Sequence, residues 1–418
     1  MSPCLKMPLR KIFWTFLCLQ LLLWTLVPTL VRLSLPMDAI EGYVWGQHFQ
    51  WGYDRDPWMN ALLTHIAVSL GGKSGWLVYA CSQLFVCLGY WSIWKLSHRI
   101  FHSETYALVA TLSLIGVQYT SLATTDFNDN VIELGLWPLL IYLGYEAFIQ
   151  GKLRFWILGG IVAGLALMSK YYSIVPLSLL ILFFCFEPQA RKYWKTPGPY
   201  LAGGLIFLIC LPHLLWLPEH HFITIEYADL RVRTSVGRFH HIYYALRFSI
   251  IQLLVFLGPL TLIGLAIFPR KSQSPSLNIP KSTQNFLNFT IPGVFLGTIA
   301  ISIIFTWKLN TLWGTPLLSL WPLWILAKYQ PPIAHLLRML VIGGIIFLLL
   351  LTGYAIHNLR DQGSPENLDG KRLSENFLAH YEKSHDGKLP TTLKGNRYFM
   401  GYVAFYAPEP ISVEISEN

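Results

Sequence analysis

The sequence predicts an all-α integral membrane protein with about 11 transmembrane helices, outer amphipathic juxtamembrane helices and a short outer C-terminal tail. Three observations carry this. Of 418 residues, 54% are hydrophobic and 15% aromatic, and only 13% are charged, about half the charged share of a soluble globular chain. The mean hydropathy is +0.45. The apolar residues gather into runs of spanning or near-spanning length, each bounded by polar or charged residues. This excludes an ordinary cytosolic enzyme, a disordered chain, collagen and coiled-coil arrays. The net charge of +9 comes from Lys and Arg scattered in twos and threes between apolar runs. Without a continuous basic stripe they read as topology signals, and no nucleic-acid partner is expected.

The first run, Ile12 to Leu33, follows Lys6, Arg10 and Lys11; it is 22 residues long and lacks an A-x-A exit, so it reads as an uncleaved span. Further runs cover 76–94, 105–123, 131–149, 155–169, 171–186, 198–216, 250–268, 287–307, 312–327 and 339–356. Amides in lipid must be satisfied within their own segment, so these are helices. Cys4, Cys18, Cys81, Cys87, Cys185 and Cys210 lie in the N-terminal tail or in apolar runs, and their spacing gives neither a disulfide framework nor a zinc ligand set.

With the N-terminus cytoplasmic, 15 of the 31 Lys and Arg fall on the inner side with only three acids, as the positive-inside rule asks. Parity turns on residues 155–186, which read either as two short spans hinged at Lys170 or as one long tilted one. Two spans put the C-terminus outside. The outer surface then holds Ser34 to Gly75, Thr124 to Asn130, Lys170, Leu217 to Arg247, Lys308 and the tail from His357. Residues 269–284, with Pro, Ser and Lys, read as a cytoplasmic linker.

Chemistry concentrates on that outer side. From Asp38 to Trp51, the positions Asp38, Glu41, Trp45 and His48 recur at helical spacing opposite Ile40, Tyr43, Val44 and Trp51, the pattern of a helix lying on the membrane surface. Its polar stripe carries two carboxylates, which suit proton removal from a hydroxyl; a solvated helix with idle acids fits the pattern equally. Asp126 and Asp129 stand at the mouth of the helix that contains Glu133. Intramembrane acids default to function, while Asp126 or Asn128 also suits a helix cap.

Lys170, Arg231, Arg233, Arg238, Arg247 and Lys308 face the same side, several beside aromatics, as in SKYY and FTWK. Such cations suit a phosphate, and each one alone suits snorkelling to headgroups. The His pairs 220–221 and 240–241 lack a fixed ligand spacing and a carboxylate partner, so they read as structural. The sequence has no P-loop, no G-x-S-x-G and no H-E-x-x-H.

DAIEGYVWGQHFQWGYDRDP, TTDFNDNVIELGLWPL, GLALMSKYYSIVPL, PHLLWLPEHHFITIEYADLR with HHIYYALRFSIIQ, and WKLNTLWGTPLLSLWPL stand in this order along the chain. Together they resemble the C-type glycosyltransferases of family 39, which include protein O-mannosyltransferases and bacterial lipid A aminoarabinose and galacturonic acid transferases. The resemblance implies a multi-pass enzyme of the bacterial inner membrane that takes a sugar from a polyprenyl phosphate, with its site at the outer face. It puts Asp38 at the family's catalytic acid, Glu41 at a supporting acid and Asp126 at the second acidic position. Lys170, Tyr171, Arg247 and Lys308 are then the residues for the donor phosphate. The family's adjacent Asp-Glu is here Asp38-Ala39 with Glu41 three residues on, and its Pro-Pro is Asp56-Pro57.

The expected division is a membrane domain, 1–356, with an outer catalytic loop at 34–75, and a periplasmic region, 357–418, shorter than the family's outer domain. The expected reaction is transfer of the sugar to a hydroxyl of a lipid or glycan, with inversion. No cofactor is expected, and the residues name no divalent metal. A transporter or flippase, the rival class, predicts charges near the midplane and inverted repeats; here the acids gather at one face. A catalytically silent scaffold, the second rival, rests on the short tail.

Overall fold

A computed structural model describes residues 8–233, 239–269, 277–361 and 367–415. Arg238 and residues 270–276 of the expected linker lie outside the described residues. The expected helical character holds. The apolar runs form α1 (Leu9–Val31), α4 (Trp76–Phe101), α6 (Asp129–Gln150), α7 (Leu153–Ser169), α8 (Ile174–Phe186), α9 (Pro197–Glu219), α11 (His240–Ile267), α12 (Lys281–Phe305), α13 (Trp321–Tyr329) and α14 (Leu336–Arg360). Between them lie α2 (Met37–Gly46), α3 (Met59–Gly71), α5 (Glu104–Leu112) and α10 (Ile223–Val232).

Among the described residues, seven helices are long and apolar enough to cross a membrane. An eighth is obtained if 104–125 counts as one span, although its halves, 104–116 and 118–125, are bent by 97°. The other expected spans are short. At 1.5 Å per residue, α7 reaches about 25 Å and α8 about 20 Å, less than the roughly 30 Å of a hydrocarbon core.

Residues 155–186 fold back on themselves. At one end Lys170 pairs with Asp129, at the start of α6. At the other, Phe184 lies against Trp156, with centroids 4.8 Å apart, and Tyr193 Oη donates to the Phe148 carbonyl near the end of α6 (2.7 Å). So α7 runs toward the end of the bundle that holds Lys170, and α8 returns. The break falls where a charged side chain interrupts the apolar run, and Pro176 sits in the first turn of α8, where a missing N–H leaves no intrahelical bond unmade.

Helices α4 and α6 pack through facing glycines. A Cβ on Gly89 would lie 2.5 Å from the Leu134 carbonyl oxygen, and one on Gly135 would lie 2.6 Å from that of Phe85. Close backbone approach of this kind suits helices that cannot use hydrophobic expulsion from water. A buried polar seam also joins α1 to α4, where Gln20 Nε2 donates to Gln83 Oε1 (2.9 Å).

The C-terminal region is more than a tail. It folds as α15 (Gly370–Ser384), β1 (Thr392–Gly395), α16 (Arg397–Tyr406) and β2 (Ser412–Ile415), with β1 and β2 parallel. It covers α2. A Cβ on Gly401 would lie 2.6 Å from Ile40 Cγ2, and Tyr43 meets Phe405 edge-on at 5.0 Å. This corrects the expected surface helix over 38–51: α2 ends at Gly46, and Ala39, Ile40, Glu41, Val44 and Trp45 are buried. The cause is that a second, later segment covers the apolar stripe of Ile40, Tyr43 and Val44, which was expected to lie in the membrane. The start of α1 lies beside Trp94, in the last turns of α4, whereas Asn367 at the head of the C-terminal region caps the chain after α1 by accepting from Leu33 N–H (3.1 Å). The start of α1 and the head of the C-terminal region therefore lie at opposite ends of the bundle.

Candidate active site

The site begins at a helix cap. Asn128, extended and preceding α6, accepts the backbone N–H groups of Asn130 (3.0 Å) and Val131 (3.3 Å) through Oδ1, which satisfies orphan donors of the first turn. That fixes its amide, whose Nδ2 donates to Asp38 Oδ2 at 2.8 Å. One cap thus sets both a spanning helix and the expected catalytic carboxylate. Burial holds the Asp38 carboxyl above the ordinary carboxylate range, and Asp129 adds to this, against the Asn128 hydrogen bond and Lys170.

Lys170 enters from the break between α7 and α8. Its Nζ lies 2.5 Å from Asp129 Oδ2 and donates to Asn130 Oδ1 at 2.7 Å. An ammonium has three donors, so one is left over, and the face of Trp313 lies 5.7 Å away.

The loop after α2 supplies the rest of the polar wall. It is closed by an antiparallel bridge between Gly52 and Pro57 and by Tyr53 N–H donating to Asp56 O (3.0 Å). Trp45 stacks on Tyr53 and donates to Asp54 Oδ1 (3.0 Å). Arg55 Nη1 then lies 2.9 Å from Glu41 Oε1 and donates to Tyr398 Oη at 2.9 Å. Burial pushes the Asp56 carboxyl well up, and Asp129 contributes to the rise. Burial also raises Glu41 to about 7, against the pull of Arg397 and Arg55.

These groups line one cavity of about 1040 Å³. Its polar end carries Asp38, Glu41, Asp56 and Asp129 with Arg55 and Lys170. The start of α8, the end of α12 and the segment after it add a largely apolar wall that includes Ile174, Val175, Phe305 and Leu312. Phe305 is 60% exposed and Leu312 45% exposed, so the apolar wall continues onto the outside of the bundle. An occupant that suits this shape has a charged head and an apolar tail.

Tyr171 also lines the cavity. Its Oη is 2.5 Å from His213 Nε2, and His213 Nδ1 faces the Trp51 carbonyl at 2.6 Å. A carbonyl only accepts, so the neutral ring carries its proton on Nδ1 and Nε2 accepts from Tyr171. The single tyrosine proton is committed, and the phenolic oxygen is left as an acceptor.

Of the expected residues, Asp38, Glu41, Asp129, Lys170, Tyr171 and Arg231 line the cavity, and Asp126, Arg247 and Lys308 do not. Asp126 lies behind α2, beside the backbone of Asp38 and Ala39 and with Arg32 nearby, and burial raises its carboxyl well above the usual range. Arg247 and Lys308 are exposed; Arg247 is on α11, which adds no residue to the cavity wall, and the Lys308 backbone N–H donates to Val232 O (2.9 Å). His220 stacks on Trp216, with centroids 4.0 Å apart. Arg55, Asp56, Tyr227, Arg397 and Tyr398 were not anticipated as site residues. Arg55 and Asp56 are signalled by their place in a polar run, whereas nothing near residue 397 in sequence signals its partners. Among the described residues, no group of three or more His, Cys, Asp or Glu side chains is placed to hold a metal ion.

Comparison with known proteins agrees with this architecture. The model of the dolichyl-phosphate-mannose-protein mannosyltransferase family matches residues 55–216. The lipopolysaccharide core galacturonosyltransferase RgtB of Rhizobium johnstonii is 22% identical over 394 residues, covering 90% of this chain and 75% of the relative. The crystal structure of ArnT from Cupriavidus metallidurans bound to undecaprenyl phosphate superposes with a TM-score of 0.64 at 14% identity, covering 96% of this chain and 86% of ArnT. Its apo form gives 0.60 at 13% identity, covering 97% and 86%. In fold the chain is similar to the membrane glycosyltransferase ArnT, and the mannosyltransferase family model matches it over residues 55–216.

Proposed function

We propose that the chain transfers a sugar from a polyprenyl phosphate to a hydroxyl group of a lipid or glycan acceptor, with inversion, at the periplasmic face of a bacterial inner membrane. The observation that carries this reading is a single cavity with carboxylates and cations at one end and an apolar wall that opens onto the outside of the bundle. The names of RgtB and of the undecaprenyl-phosphate complex of ArnT support the donor class and an acceptor of the lipopolysaccharide type.

In this reading Asp38 takes the proton of the acceptor hydroxyl as its oxygen attacks the anomeric carbon. The bond from that carbon to the phosphate oxygen breaks, and the polyprenyl phosphate leaves as an anion. Lys170 and Arg55 offset the charge that develops on it. A phosphate leaving group needs no proton, so no general acid is required. Residues 1–356 would form the catalytic membrane domain, with 357–418 closing the polar end of the cavity.

The purified chain, given undecaprenyl-phosphate-linked sugars and lipid A-type acceptors, is expected to form product with a mass increase of one glycosyl unit and to release undecaprenyl phosphate. Absence of product with both uronic and amino sugar donors, in a preparation that binds undecaprenyl phosphate, would overturn the transferase reading.

The face is tested separately. The C-terminal region and the cavity share one end of the bundle, and the positive-inside reading of the sequence supports a cytoplasmic placement of the other. A periplasm-active reporter fused after Asn418 is expected to work, and a cytoplasm-active one is expected to be silent. The reverse pattern would put the site on the cytoplasmic side.

A further inference from the structure

Arg397 opens α16, more than three hundred residues from the loop it touches. Asn396 caps the helix by accepting the N–H groups of Tyr398 and Phe399, both at 3.1 Å. The first turn then delivers two neighbouring side chains to one wall. Arg397 is 7% exposed, reaches Glu41 Oε1 with Nη1 and Asp54 Oδ2 with Nη2, and lies 5.4 Å over the Trp45 ring. Tyr398 lines the cavity and accepts from Arg55.

Arg55 approaches the same two oxygens. Its Nη1 is 2.9 Å from Glu41 Oε1, and its Nε is 3.8 Å from Asp54 Oδ2. Two guanidiniums therefore share one pair of carboxylate oxygens, and the buried one holds the tighter contact on both. The four groups balance in charge. A guanidinium spans two carboxylates with a fixed fork, which an ammonium does not. Without Arg397, the nearest cation for both carboxylates is Arg55. It would turn back into them and away from the cavity, because a buried unpaired carboxylate is costly.

We propose that Arg397 is a positioning residue, supplied by the C-terminal region, which occupies Glu41 and Asp54 so that Arg55 stays directed at the anionic head of a lipid phosphate in the cavity. The inference rests on the polyprenyl-phosphate reading above. It gives the C-terminal region a role in donor binding that does not depend on the acceptor.

The test is a double-mutant cycle on the full chain in detergent, with binding of undecaprenyl phosphate followed by the fluorescence of the cavity tryptophans. Arg55→Gln and Arg397→Gln are each expected to weaken binding about tenfold. The double variant is expected to bind no more weakly than Arg55→Gln alone, because Arg397 acts through Arg55. A general packing role would instead give additive losses. Arg397→Lys keeps the charge without the fork and is expected to fall between parent and Gln, also without effect in the Arg55→Gln background; it carries the test if Arg397→Gln does not fold. Parent-like binding by both Arg397 variants, or additive losses, would overturn the inference while the functional reading stands. Failure of the parent chain to bind undecaprenyl phosphate would overturn both.

Discussion

Asp38→Asn is expected to slow transfer by at least about 100-fold, the usual scale for loss of a positioned general base, while the chain remains folded and inserted. Asn keeps the shape of the side chain and one carbonyl oxygen, so the hydrogen bond from Asn128 Nδ2 survives. What it loses is the ability to take a proton. The pH profile gives an independent reading. A base works only when deprotonated, so the rate should rise with pH through the Asp38 pKa. Burial raises that pKa, so the limb should lie above the roughly 3.9 of a free Asp. The Asn variant should lack this limb. If purified Asp38→Asn turned over within about tenfold of the parent at an equal melting temperature, Asp38 would leave the mechanism. Attention would then pass to Asp56, the other raised carboxyl at the polar end of the cavity.

The route to Asp38 was partly legible in the sequence. Hydropathy runs located the helices, since a bilayer imposes a length and forbids unpaired amides. The clustering of acids near 38–56 and 126–133 located one end of the site, because charges collect where a bundle meets water. The role of each acid was not legible. Asp126 and Asp129 look alike in sequence, and the structure separates them by place: one is buried behind the start of α2, and the other pairs with Lys170 inside the cavity. Helix periodicity predicts which residues share a face, not which later segment covers that face. Hence α2 read as a surface helix, although α16 buries it.

The same limit explains Arg397. Its partners, Glu41 and Asp54, precede it by most of the chain, and a contact at such separation leaves no local pattern. The cations at the ends of the spans show the converse. Lys170, Arg247 and Lys308 all read as candidates for a phosphate because each sits beside aromatics at an apolar boundary, a pattern that snorkelling also produces. Burial and partners divide them. Lys170 has carboxylate and amide partners within a cavity, and the other two are exposed outside it.

That division sets the second large effect. Lys170→Gln is expected to weaken undecaprenyl phosphate binding by about 10- to 150-fold, the equivalent of about 1.5 to 3 kcal/mol for a charge-assisted contact in a desolvated site. Arg247→Gln and Lys308→Gln are expected to stay within about twofold, as exposed cations contribute little. Lys170→Gln also strands Asp129, so a loss of stability has to be told apart from a loss of binding. Lys170→Gln combined with Asp129→Asn removes both charges, and Asn130 Oδ1 remains as an acceptor for the Gln amide. The double variant should recover the melting temperature of the parent but not its affinity. Recovery of both would mean that Lys170 serves only to neutralise Asp129. Parent-like binding by Lys170→Gln, together with a loss in Arg247→Gln or Lys308→Gln, would move the phosphate out of this cavity and onto the exposed rim.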